Sequence, residues 1–104
     1  PEPSARQPVR RLVEEILKIC PGQWVDGSNP NGPHEAMLLS LSIEKAGALL
    51  GWYPSWDFQE AIQRTVAWYY QRHWINNPKM LEFSTSQIEE YVASARRRQL
   101  VWAE

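Results

Sequence analysis

The stretch Trp52-Tyr53-Pro54-Ser55-Trp56-Asp57, with Glu60 three residues beyond the aspartate, constrains this chain more than any other. Asp57 and Glu60 have the spacing of a capping box, in which side-chain oxygens accept from N–H groups left open at a helix start. Trp56, just before the cap, is placed to staple the first turn. Phe58, Ala61, Ile62, Thr65, Val66 and Tyr69 then keep helical spacing, so a helix is predicted to run to about His73. Asn76-Asn77-Pro78 breaks it. On the other side of the elbow, Ile43, Ala46 and Leu50 line one face of a two-turn helix, with Ser42 as a capping hydroxyl and Gly51 as its stop. Gly47 weakens that helix.

Upstream, Val9, Leu12, Val13, Ile16 and Cys20 predict an amphipathic helix over residues 9–20, begun at Pro8 and stopped by Pro21-Gly22. Arg10/Glu14, Arg11/Glu15 and Glu14/Lys18 read as charge pairs on its wet face. Pro1 to Gln7 reads as extended loop, Gln23 to Asp26 as a short apolar-centred stretch, and Gly27 to Pro33 as a turn-rich surface loop. Met37, Leu39 and Leu41 alternate with Ser40 and Ser42, the period of a half-buried strand. Ser86 with Glu89 forms a second capping box, opening a last helix with Ile88, Tyr91, Val92 and Ala95 on its apolar face. That helix ends at Arg96-Arg97-Arg98, and residues 99–104 are expected to fray. The fold class that follows is α+β: one small, mostly helical lobe over residues 1–104 with one or two short strands. Strands this short want partners in a larger assembly.

The 104 residues leave room for one domain, and 43% hydrophobic with 22% charged residues is a folding mixture. No apolar run approaches the roughly 20 residues of a membrane span, and the N-terminus is polar rather than signal-like, so a cytoplasmic protein without a membrane partner is expected. A formal net charge of -1 supplies no field for nucleic acid. Cys20 is the single cysteine, and neither His34 nor His73 has metal-ligand spacing, so no metal site is expected. There is no glycine-rich phosphate loop, and Tyr53, Tyr69, Tyr70 and Tyr91 all lack a lysine four residues on. Cofactor and catalytic groups are therefore not expected in this chain.

Six Trp and four Tyr imply an aromatic-rich core or a ligand platform. For Trp52, Tyr53 and Trp56, a corner packing two helices is preferred to a stacking platform. Arg96 to Arg98 are preferred as a solvated helix end over a phosphate site, and Cys20 as a core residue over a nucleophile. The remaining candidate is Pro33-His34-Glu35-Ala36. A carboxylate held at a loop-to-strand junction can accept from both hydroxyls of a ribose diol, and His34 can offer an N–H to a base or phosphate. On pattern alone, a solvent-facing glutamate and a loop histidine are the commoner outcome.

The order of these pieces resembles the C-terminal portion of the CDP-glucose 4,6-dehydratases, extended short-chain dehydrogenase/reductases of the NAD-dependent epimerase/dehydratase group. The resemblance is strongest over residues 1–75. It rests on Val9-Arg10-Arg11-Leu12-Val13, Trp24, Pro33-His34-Glu35-Ala36, Leu39 to Ala46, Leu50 to Trp56, and Ala61, Thr65, Trp68 and Tyr69. Residues 76–104 match weakly. Ser42 stands where the family usually has Asp, and Gly32 where an arginine often precedes the proline. The resemblance implies a substrate-binding lobe of a lyase acting on a CDP-hexose, with Glu35 binding the nucleotide ribose and His34 a secondary contact. It also implies that NAD and the catalytic Tyr and Lys belong to a Rossmann half absent from this chain, which alone is not catalytic. A start at Pro1 fits either a trimmed initiator or a lobe separated from that half. Two other readings stand beside it: a free-standing helical protein-interaction module, and the lobe of a related nucleotide-sugar epimerase or dehydratase.

Overall fold

The computed structural model describes residues 7–32 and 41–104. In chain order they form α1 (Val9–Ile19), α2 (Glu44–Leu50), α3 (Phe58–His73) and α4 (Met80–Arg97), closed by a 3-10 turn at Val101–Ala103. The described residues contain no strand, so they make a small, mostly helical domain. The strand expected at Met37 to Leu41 falls outside the described residues except for Leu41, which is exposed coil. Gln23 to Asp26 is also coil.

α3 is the central element, with α1 on one flank and α4 on another. Its start follows from the cap: Asp57 Oδ1 accepts from the Glu60 N–H at 2.8 Å, satisfying a donor with no partner inside the helix. It ends at His73, where the chain turns through Asn76 at φ 52, a left-handed conformation that asparagine tolerates better than most residues. The expected staple takes a different form. Trp56 meets Tyr91 of α4 edge-on, with ring centroids 4.8 Å apart, and lies under the Arg64 guanidinium in the second turn of α3.

α2 runs into Gly51 at φ 61, a backbone conformation that costs glycine little. Ser42 Oγ accepts from the Glu44 N–H at 3.2 Å, one residue ahead of the assigned cap Ile43. Gly47 has a packing reason to be there. A Cβ at that position would sit 2.9 Å from the Tyr53 ring, so the missing side chain is what lets Tyr53 lie against the helix.

Three expectations need correction. α4 begins at Met80, six residues before Ser86, and Ser86 is an interior residue whose hydroxyl donates to the Phe83 carbonyl. Its start instead follows Asn77-Pro78, where Asn77 Oδ1 accepts from the Lys79 N–H at 2.8 Å. Second, residues 99–104 do not fray. Gln99 adopts φ 57, its N–H donates to the Arg96 carbonyl and the Leu100 N–H donates to the Ala95 carbonyl. This pairing caps the helix and turns the chain back on itself. Ala103 is then buried beside α4. Third, Glu15 does not belong to a wet face: only 3% of it is accessible.

The apolar core among the described residues is thin. Ile62 and Val66 of α3, Ala95 of α4 and Ala103 of the tail are its buried hydrophobic members. Polar ties carry much of the remainder.

Candidate functional site

His34 and Glu35, the two residues singled out for substrate contact, lie outside the described residues. The ground on either side of them is described. Asp26 Oδ1 accepts from the Ser28 N–H and Asn29 Oδ1 from the Asn31 N–H, each at 3.0 Å, and the Gly32 N–H donates to the Asn29 carbonyl. These side-chain-built turns make a loop with defined local geometry up to residue 32. The hydrogen bonds from Ser28, side chain first and backbone second, hold the Asp26 carboxyl below the usual range, with Arg10 adding attraction at 3.6 Å. Arg10 also lies over the Trp24 ring, 5.2 Å from its centroid, which ties this loop to α1. Beyond residue 40 the chain returns through Leu41 and Ser42 into α2.

The elbow between α2 and α3 is the most densely hydrogen-bonded constellation described, and its centre is Ser55. This small residue is almost completely buried, and three of its polar groups are tied to α4 and to Arg98 at its end. Its N–H donates to Tyr91 Oη at 3.1 Å, its hydroxyl donates to Ser94 Oγ at 2.8 Å, and its carbonyl accepts from the Arg98 guanidinium. Farther along α4, Gln87 Nε2 donates to the Arg64 carbonyl at 2.9 Å and Ser84 Oγ accepts from Trp68 Nε1 at 2.9 Å. Ser84, Gln87, Tyr91, Ser94 and Arg98 follow one another at intervals of three or four residues, so they share one face of the helix and its end. Together they form a polar seam against α3 and the elbow.

The tail finishes the elbow. Trp102 Nε1 donates to the Tyr53 carbonyl at 2.8 Å, and the Trp102 ring lies near Tyr91 at 5.7 Å and Trp52 at 6.3 Å. Arg96 Nε donates to the Ala103 carbonyl at 2.9 Å. Two of the three C-terminal arginines therefore hold backbone carbonyls of the tail and elbow, a use that neither a phosphate site nor a solvated helix end anticipates. Trp52, Trp56 and Trp68 are half-buried, whereas Tyr53 is 51% exposed. Trp56 Nε1 is buried without a hydrogen-bond partner.

Two concavities adjoin the elbow. One, of about 600 Å³, is bounded by Ile43, Glu44 and Ala48 of the α2 region, Tyr53 and Pro54 of the elbow, and Arg98 and Leu100. It combines apolar walls with one carboxylate and one guanidinium. The other, of about 390 Å³, is an apolar groove between α1 and α3, lined by Leu12, Ile16, Phe58, Val66 and the Trp56 and Tyr91 rings.

At the far edge of the α1 and α3 contact, Glu15 accepts from Lys18 at 2.7 Å and from Gln59 of α3 at 3.3 Å, with Arg11 at 2.9 Å. The Lys18 hydrogen bond is the main reason its carboxyl is held below the ordinary carboxylate range; burial opposes it, and the Lys18 and Arg11 charges add to it. The two cations cover the carboxylate from solvent while Gln59 links it to the neighbouring helix. This is a structural tie.

Among the described residues no three His, Cys, Asp or Glu side chains come together as a metal-binding group. Cys20 is a half-buried free thiol. His73 stacks on Tyr69 at 5.9 Å near the end of α3. No described helix is long and apolar enough to cross a membrane. In comparisons with known proteins, no family model, no curated protein and no solved structure matches the chain.

Proposed function

We propose that this chain is the nucleotide-sugar-binding part of a CDP-glucose 4,6-dehydratase-like enzyme, a cytoplasmic lyase of the extended short-chain dehydrogenase/reductase type. In this reading Glu35 accepts hydrogen bonds from the ribose hydroxyls of a CDP-hexose and His34 makes a second contact. NAD, and the tyrosine and lysine that move hydride and proton, reside on a Rossmann half outside these 104 residues. The chain's own task is then to bind and orient substrate.

The observation that carries the reading is the order of residues from Val9 to Tyr69, above all Pro33-His34-Glu35-Ala36 followed by Lys45-Ala46 and Leu50-Gly51-Trp52. Two features of the fold support it. The elbow rings are used to join helices, as a corner within a lobe requires. α2, in contrast, leaves Leu49 and Leu50 uncovered, as expected of an element that meets further polypeptide. The rival reading, a free-standing interaction module, asks for a contiguous exposed patch at Trp52, Tyr53, Trp56 and Trp68, and Tyr53 is the exposed ring of the four.

The test is a CDP-glucose titration of the chain, alone and with the NAD-binding half of a CDP-glucose 4,6-dehydratase supplied, followed through the Glu35 carboxyl resonance. The expected result is a shift of that resonance on binding and a weakening of about tenfold in Glu35→Gln, in line with the loss of hydrogen bonds to a charged group. A Glu35 resonance unmoved in both settings overturns the assignment.

A further inference from the structure

We draw no further inference here: the strongest candidate, the apolar groove between α1 and α3 lined by Leu12, Ile16, Phe58 and Val66, carries nothing because nothing in the structure shows what covers it.

Discussion

α2 and α4 are both helices whose apolar residues recur at helical spacing, yet they are attached to the molecule by different means. α4 is fastened along its length by Ser84, Gln87, Tyr91, Ser94 and Arg98, each with a named partner on α3 or the elbow. α2 buries no residue; Leu49 is 71% and Leu50 74% exposed, and among the described residues it is joined to the elbow by the Tyr53 ring lying against Gly47 and by the Trp52 N–H donating to the Ala46 carbonyl. Helical periodicity therefore identifies both elements but says nothing about how firmly each is held. What decides that is whether a partner stands opposite the face. On the function proposed above, the partner for α2 lies on the Rossmann half.

The largest expected effect contrasts the core with α2. Ile62→Ala removes a buried side chain from α3 and should cost about 3 kcal/mol in urea unfolding. Leu50→Ala, on an exposed position, should cost about 0.5 kcal/mol or less. Equal losses would break the contrast. Next comes the seam. Ser55→Ala leaves the buried Ser94 hydroxyl short of a partner and should cost about 2 kcal/mol. The Ser55→Ala, Ser94→Ala double variant should lose little more than either single one, giving a coupling of about 2 kcal/mol. Strict additivity would remove the hydrogen bond from the account.

Gly47→Ala sharpens the view from the α2 side. Replacing glycine inside a helix gains about 1 kcal/mol when space allows, but here the new Cβ meets the Tyr53 ring. The full gain should appear only in a Tyr53→Ala background, with a smaller one in the native sequence and displaced Tyr53 ring resonances. An equal gain in both backgrounds would mean that the ring does not rest on α2.

The smallest effect concerns the tie between α1 and α3. The Glu15 carboxyl is held below its ordinary range in the folded chain, so the unfolded chain binds the proton more readily. Its contribution is thus complete above the ordinary carboxylate range and is lost as pH falls through the lowered value. Glu15→Gln should flatten the acid limb of a stability-against-pH curve. An unchanged limb would show that the carboxylate is not coupled to folding.

Much of this architecture was legible in the residues. Asp57 and Glu60 identify the start of α3, and Gly51 and Asn76-Asn77-Pro78 mark the ends of α2 and α3, because these stops depend on local backbone chemistry. The start of α4 at Met80 is hidden for a definite reason. The capping-box spacing of Ser86 and Glu89 points to a start that lies inside the helix. Of its expected apolar face, Tyr91, Val92 and Ala95 do turn inward, but Ile88 is 65% exposed, because part of the attachment face is made of the hydroxyl and amide groups of Ser84, Gln87 and Ser94, which apolar periodicity does not register. Ser55 was hidden similarly, as a small polar residue between two tryptophans whose importance comes from partners 36 to 43 residues away. Glu15 reads as solvent-facing because its charge partners Arg11 and Lys18 lie on its own helix, whereas its tie to Gln59 of α3 depends on a contact 44 residues away. The substrate candidates His34 and Glu35 rest on resemblance alone, since a proline, a histidine and a carboxylate in a row specify no fixed geometry by themselves, and they lie outside the described residues.

Native-state hydrogen exchange, with the chain alone and with an NAD-binding half supplied, tests most directly the claim that α4 is internally secured while α2 waits for a partner. The account predicts that α3 and α4 amides in the isolated chain exchange only through the highest-energy openings, while α2 amides exchange quickly and become protected when the second half is added. Protection of α2 equal to that of α4 in the chain alone, unchanged by the addition, would contradict it.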